Sequence, residues 1–192
     1  MVQLKDETIL VKEHLSNSNI SAYTDNSAIH VASGCKWPAM TVIMKLVEQG
    51  KLILTDKISK FYPNGEFSQD ANDITLLQLM THSSGFRYLD EWLAALDISL
   101  QDSVLGIAKG GTINGKSIPK DKIFNPICTT VMYGDASMQV AGAIAEKVSG
   151  NGFNQLFLDI LANPLSMVNT RFTVFDGEDK KIQLQLMDCL LK

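Results

Sequence analysis

Residues 33–50 read SGCKWPAMTVIMKLVEQG and place a serine and a lysine three residues apart at the start of a helical pattern. From residue 37 onward the apolar side chains recur at the 3.6-residue spacing of an amphipathic helix. They are Trp37, Met40, Ile43, Met44 and Val47. Gly50 stands where helices commonly end in a left-handed residue. Because residues three apart share a face on a helix, the pattern predicts that the side chains of Ser33 and Lys36 face each other.

A serine that faces a lysine indicates nucleophilic catalysis. The hydroxyl is a poor nucleophile until a neighbour takes its proton, and a lysine can do so only in its neutral form. The ordinary lysine pKa of about 10.4 must therefore be lowered by burial or by nearby cations. The start of the helix adds unpaired N–H groups and positive potential that would stabilise an oxyanion. The alternative interpretation is an N-cap serine followed by a solvated lysine.

The same spacing occurs a second time, at Ser117-Ile118-Pro119-Lys120. This copy lies in a stretch rich in glycine and proline, which we predict to be a loop over residues 109–126. A proline between the two partners also disfavours a helix. We therefore do not expect a serine–lysine pair there.

Several short blocks occur in a fixed order along the chain. They are ASGCK at 32–36, LVEQGKL at 46–52, ITL at 74–76 with HSSG at 82–85, YGD at 133–135 with SMQVAG at 137–142, and PLSM at 164–167. Together they resemble the serine β-lactamase and penicillin-binding-protein family, in particular its class C-like esterase and D-alanyl-D-alanine carboxypeptidase branch. The likeness covers about residues 28–172, and the shared order makes a chance match of permissive motifs improbable.

The resemblance implies a serine hydrolase that cleaves an ester or amide through an acyl-serine intermediate. It implies Ser33 as the nucleophile, Lys36 as the base, Tyr133 as their partner in proton transfer and Asp135 as a substrate-binding residue. The implied fold is α+β and helix-rich, mostly the helical subdomain of the family with much of the sheet missing. We expect a single domain over residues 1–192, incomplete at the C-terminus and at the N-terminus. No metal or cofactor is expected.

Tyr133 is preferred among four tyrosines because an amphipathic helix follows it, with Gly150 as the predicted stop. Asp135 stands where most of the family has asparagine. An ionised aspartate only accepts hydrogen bonds, and its charge would favour the protonated form of Lys36, which cannot act as a base. Either Tyr133 or a water then carries more of the proton transfer, or Asp135 merely caps its helix.

The third motif of the family, a Lys or His followed by Thr or Ser and then Gly, occurs nowhere in the 192 residues. In the family this motif lines the substrate groove and leads to the second oxyanion N–H. Loss of one such donor costs on the order of a hundredfold or more in rate. The alternative function is therefore a catalytically impaired fragment or pseudoenzyme that binds a ligand or partner. A third reading is a helical interaction module in which residues 33–36 only begin a helix.

Composition excludes several classes of partner. The net charge is −4, and no basic run interleaved with aromatic residues predicts nucleic-acid binding. No apolar stretch reaches the roughly 20 residues of a membrane span. Residues 1–7 lack the order of a signal peptide, so the chain as written would be cytoplasmic, although its compartment stays open. We expect a small ester, amide or peptide substrate and leave open a partner chain that completes the sheet.

Cysteine and histidine add no second catalytic pair. Cys35, Cys128 and Cys189 are odd in number and widely spaced, which favours reduced thiols. Cys35 would point about 100° away from Lys36 on a helix. By the resemblance, His82 anchors a loop.

The other predicted elements are short. We expect a helix from Thr75 to Met80, capped by Asp73 or Thr75 and closed at Gly85. Two more helices are predicted at Trp92–Leu96 and Phe153–Leu161. The strand candidates are Ile9–Val11, Ile29–Ala32, Phe172–Phe175 and the tail, whose alternation fits a strand or a short helix.

Overall fold

Helices carry most of the structure. The computed structural model describes residues 2–3, 9–10, 29–30, 32–86, 99–109, 111–113, 116–118, 130–168, 170–172 and 189–191. The helices within these ranges are α1 (Lys36–Glu48), α2 (Ile58–Phe61), α3 (Gln69–Asn72), α4 (Leu76–Met80), α5 (Leu100–Lys109), α6 (Asp135–Ser149) and α7 (Phe153–Phe157). A 3₁₀ turn at Ala32–Cys35 leads into α1, and a π-helical turn at Leu158–Ala162 follows α7.

The strands are short and antiparallel. They are β1 (Val2–Gln3), β2 (Ile9–Leu10), β3 (Ile29–His30), β4 (Gly111–Ile113), β5 (Lys116–Ile118), β6 (Arg171–Phe172) and β7 (Cys189–Leu191). β7 lies between β3 and β6, with Ile29 opposite Leu191 and Arg171 opposite Leu190. β1 pairs with β2, and β4 pairs with β5. Strands therefore occur at all four predicted places, and the end of the tail is a strand rather than a helix.

The second serine–lysine match lies partly in a strand. Ser117 belongs to β5, while Lys120 lies outside the described residues. The prediction of a loop over residues 109–126 is therefore wrong for the hairpin of β4 and β5. Asn114-Gly115 separates the two strands in the sequence and is the dipeptide that a tight hairpin favours. The predicted helix at Trp92–Leu96 also lies outside the described residues.

α1 is the predicted helix, but its buried face matches the predicted apolar stripe only in part, since Ile43 is buried and Met40 and Val47 pack against the core. The buried side chains are Lys36, Ala39, Val42, Ile43 and Leu46, whereas Trp37 is 80% exposed and Met44 is 43% exposed. The prediction that Trp37 and Met44 belong to the buried stripe is therefore wrong. α1 packs against α6, α7 and the π-helical turn. Small residues such as Ala39 allow a close approach between helices, which hydropathy alone does not reveal.

The end of α1 follows the prediction. Gly50 has a φ of +71°. Its N–H donates to the carbonyl oxygen of Val47 at 2.9 Å, and the Lys51 N–H donates to the carbonyl oxygen of Leu46 at 3.0 Å. These two bonds form the Schellman motif, in which a left-handed residue closes the last turn of a helix. Local sequence therefore determines where α1 stops.

α4 begins with a capping box. The Thr75 N–H donates to Gln78 Oε1 at 2.7 Å, and the Gln78 N–H donates to Thr75 Oγ1 at 3.3 Å. Thr75 is therefore the cap, and Asp73 pairs instead with Lys57 at 2.7 Å. The helix ends at Met80, five residues before Gly85, because the chain turns out of the helix into a left-handed residue, His82, with a φ of +55°.

We expect Thr75→Ala to lower the free energy of unfolding by about 1 kcal/mol, because it removes the side-chain oxygen that accepts the Gln78 N–H at the start of α4. Urea denaturation followed by circular dichroism measures the change. Thr55→Ala is the matched control, since Thr55 is exposed in a turn. Equal effects of the two substitutions would contradict the importance of the box.

α6 is the central helix. Every residue from 135 to 145 is buried, which is the pattern of a helix packed on all sides. α6 contacts α1, α4, α5 and α7. It ends at Gly150, which has a φ of +75°, as predicted. The rings of Phe153 and Phe157 pack edge-on against Phe172 at 5.3 and 4.9 Å, so α7 holds β6 to the core.

Candidate active site

Ser33 and Lys36 meet at the start of α1. Ser33 lies in the exposed 3₁₀ turn, and Lys36 is the first residue of α1. The Lys36 Nζ donates a hydrogen bond to the Ser33 Oγ at 3.0 Å. The two side chains face each other as the spacing predicts, although Ser33 is in a 3₁₀ turn and not in the α-helix itself. The alternative of an N-cap serine with a solvated lysine is wrong, because Cys35 occupies the N-cap position and Lys36 is only 5% exposed.

The other two predicted site residues are Tyr133, just before α6, and Asp135, the first residue of α6. The Asp135 Oδ1 lies 2.8 Å from the Lys36 Nζ, and the two side chains are 11% and 6% exposed. The centre of the Tyr133 ring lies 4.9 Å from the same Nζ, and Tyr133 is 49% exposed. The structure therefore brings Ser33, Tyr133 and Asp135 together around one ammonium group. Their chemical roles stay predictions.

Asp135 does not cap α6. Gly134 is the N-cap residue, and no side chain makes a capping hydrogen bond there. Asp135 is the first residue of α6, and its carboxylate points to Lys36 instead. The alternative in which Asp135 merely caps its helix is therefore wrong. The negative charge of this carboxylate also interacts favourably with the positive N-terminal end of the helix.

The charge environment keeps Lys36 protonated. Burial lowers the pKa of Lys36, but the hydrogen bond and charge of Asp135, followed by the contact with Tyr133, outweigh burial and raise it above the ordinary 10.5. At neutral pH Lys36 is therefore an ammonium. It can orient the Ser33 hydroxyl by donating a hydrogen bond, but it must lose a proton before it can accept one.

His82 is a residue at the site that the sequence did not reveal. Its ring centre lies 4.7 Å from that of Tyr133, at an angle of 43° between the ring planes. Its backbone carbonyl accepts a hydrogen bond from the Met132 N–H at 2.8 Å, so the predicted anchoring of the loop holds for the backbone. The ring contact could not be predicted from the sequence, because Tyr133 lies about fifty residues after His82. The local sequence Ser-Ser-Gly that follows His82 indicated only a turn.

A buried pair of hydroxyls ties the His82 turn to α6. The Ser84 Oγ and the Ser137 Oγ lie 2.7 Å apart, and these residues are 1% and 2% exposed. The Ser84 Oγ also accepts the Phe86 N–H at 3.3 Å. The turn after α4 and the start of α6 are therefore held in one arrangement.

The described residues hold no group of three or more His, Cys, Asp or Glu side chains that could bind a metal ion. Cys35 is fully buried in the core beside the exposed Ser33. Within the same part of the chain, no helix is both long and apolar enough to cross a membrane.

Comparison with known proteins identifies the family of this chain. The sequence model of the β-lactamase family matches residues 5–183. Teichoic acid D-alanine hydrolase of Staphylococcus aureus is 26% identical over 150 residues, which are 78% of this chain and 34% of that protein. The chain spans 27% to 34% of the length of the curated relatives that it matches.

Solved structures resemble the fold. A D-stereospecific amidohydrolase from Streptomyces sp. superimposes with a TM-score of 0.67 and 16% identity, covering 86% of this chain and 57% of that one. D-amino acid amidase from Ochrobactrum anthropi SV3 gives a TM-score of 0.67 and 14% identity, covering 88% of this chain and 53% of that one. At these identities the two structures support the fold alone.

Proposed function

Because this chain belongs to the β-lactamase family, we propose that it is a serine hydrolase that cleaves an ester or amide through an acyl-Ser33 intermediate. The predicted helix-rich α+β fold of that family is confirmed. The observation that supports the proposed function best is the 3.0 Å contact between the exposed Ser33 hydroxyl and the buried Lys36 ammonium. We propose a single domain over residues 1–192.

In this proposal Ser33 Oγ attacks the carbonyl carbon of the substrate, and the Ser33 proton passes to Lys36 once Lys36 is neutral. The new O–C bond forms as the carbonyl oxygen becomes an oxyanion near the start of α1, where helix N–H groups favour negative charge. Collapse of this intermediate breaks the bond to the leaving group. Tyr133, beside Lys36, donates its hydroxyl proton to the leaving group and regains a proton from the Lys36 ammonium. Water then hydrolyses the acyl-serine.

The substrate class is a small ester or amide. The staphylococcal relative is a teichoic acid D-alanine hydrolase, which makes a D-alanyl ester the first substrate to test. We propose a D-alanyl ester because the alignment with that relative covers 78% of this chain.

The alternative function is a catalytically impaired module that binds a ligand or partner at the site around Ser33 and Lys36. The buried ion pair favours this alternative, because Asp135 raises the pKa of Lys36 and keeps it in the form that cannot accept a proton. The third family motif is also absent from the 192 residues. In this alternative Ser33 would be a binding hydroxyl and not a nucleophile.

Covalent labelling separates the two functions. Intact mass is measured after exposure to a fluorophosphonate and, separately, to a penicillin. We expect an adduct on Ser33 that is lost in Ser33→Ala and forms more slowly in Lys36→Ala. Ser117→Ala is the matched control, since Ser117 lies in the second serine–lysine match and in a strand, and it should label like the unaltered chain. A folded chain that stays unlabelled would favour the binding module.

A further inference from the structure

His82 has a backbone conformation that needs an explanation. Its φ of +55° is in the left-handed region, where residues other than glycine are uncommon and histidine is among the enriched exceptions. Such a conformation is unfavourable by itself and persists only where the surroundings impose it. Two contacts impose it here, namely the Met132 N–H bond to the His82 carbonyl and the buried pair of Ser84 with Ser137. The turn is therefore held firmly against the start of α6.

The side chain of His82 has a specific neighbour. It is buried, and its ring lies 4.7 Å from the ring of Tyr133. The Nδ1 atom has no hydrogen-bond partner among the described residues, whereas the ring also makes a hydrogen bond to the backbone of Gly134, directly after Tyr133. Tyr133 in turn lies 4.9 Å from the Lys36 Nζ. Tyr133 therefore contacts His82 as well as the ammonium that holds Ser33.

The charge of His82 fits this arrangement. Burial and the nearby Lys36 lower the pKa of His82, and together they outweigh Asp135 and the backbone of Gly134, which raise it. The imidazole is therefore neutral at pH 7. A neutral ring can pack next to Tyr133 without adding a second cation beside Lys36.

We propose that His82 is the positioning residue of this site, and that its buried ring fixes Tyr133 beside Lys36 and Ser33. The proposal rests on the proposed catalytic role of Tyr133. His82 itself does not touch the reacting atoms. Together with the hydrogen bond between Tyr133 and Lys36, it sets the orientation of a side chain that is 49% exposed.

Two substitutions separate the ring from the backbone. His82→Asn removes the ring but keeps a residue that tolerates the left-handed region, and His82→Phe keeps an aromatic ring without the nitrogens. Ser166→Asn is the matched control, because Ser166 is an exposed residue with a φ of +56° in the turn that follows the π-helical turn. The fold of each variant is checked by its urea denaturation curve.

The first measurement does not depend on activity. In protein labelled with ¹³C-tyrosine, the ring signals of Tyr133 are identified by their loss in Tyr133→Phe. We expect nuclear Overhauser contacts from the Tyr133 ring protons to the Lys36 side chain that weaken in His82→Asn, persist in His82→Phe and are unchanged in Ser166→Asn. Unchanged contacts in a folded His82→Asn variant would overturn the proposal, even if Ser33 never reacts.

The second measurement is the rate of Ser33 labelling. We expect His82→Asn to slow it by about tenfold to a hundredfold, since small misplacements of a catalytic group have effects of this size. His82→Phe should restore much of the rate. In a Tyr133→Phe background, His82→Asn should have little further effect, because residues that act through one another are not additive. Fully additive losses would overturn the proposal, whereas an unlabelled parent chain would instead defeat the proposed hydrolase function.

Discussion

Replacement of Lys36 with methionine is expected to lower the free energy of unfolding by about 3–5 kcal/mol, because removal of one partner leaves a buried charge uncompensated. The Asp135 side chain is only 11% exposed, and its carboxylate lies 2.8 Å from the Lys36 Nζ. Urea denaturation at pH 7 measures the loss. Lys57→Met is the matched control, since Lys57 pairs with Asp73 at 2.7 Å and the two side chains are 53% and 60% exposed. An exposed pair of this kind contributes only about 0–1 kcal/mol.

The double variant Lys36→Met/Asp135→Asn tests the cause of that loss. Removal of both charges should recover much of the stability, because no buried charge is then left alone. The contribution of the pair also depends on pH. Since the folded protein raises the pKa of Lys36, the stabilisation is fully present below pH 10.5 and is lost as the pH rises through the higher folded value. A loss in Lys36→Met that the double variant does not relieve would contradict this account.

Asp135→Asn is expected to speed the labelling of Ser33 at neutral pH by about tenfold or more, because an adjacent opposite charge shifts a pKa by about 1–3 units. Without the carboxylate, the pKa of Lys36 falls and more of it is neutral. The pH profile of the labelling rate should move to lower pH by the same amount. The measurement is the rate of adduct formation across pH, followed by intact mass.

Asp73→Asn is the control for this second prediction. Asp73 also pairs with a lysine, Lys57, at 2.7 Å, but the two side chains are 60% and 53% exposed. Its removal should leave the profile unchanged. Slower labelling in a folded Asp135→Asn variant would show that the carboxylate assists the reaction and that protonation of Lys36 does not limit it.

Sequence predicted those parts of the structure that depend on near neighbours. The start and end of α1, the left-handed Gly50 and Gly150, and the contact of Ser33 with Lys36 all follow from residues within one or two turns. Hydrogen bonds of this range are determined by the local chain, so short patterns are sufficient to locate them. The capping position of α4 needed only the choice between two candidates, Asp73 and Thr75, that lie two residues apart.

Features that depend on distant segments could not be read in this way. Trp37 is more hydrophobic than Ala39, yet Ala39 is buried and Trp37 is exposed, because the packing of α1 on α6 and α7 decides which face is covered. The direction of the Asp135 carboxylate depends on Lys36, about a hundred residues earlier in the chain. The ring contact of His82 with Tyr133 likewise joins two segments that the sequence leaves unconnected.

The pairing of Lys36 with Asp135 also has a consequence for folding kinetics. Formation of this contact closes a loop of about a hundred residues, whereas the helices themselves form from local contacts. Helical circular dichroism should therefore recover early during refolding, and the reactivity of Ser33 should recover only when the two segments have docked. The rate at which Ser33 becomes reactive would then report the last long-range step of folding. Circular dichroism would report helix formation in the same sample.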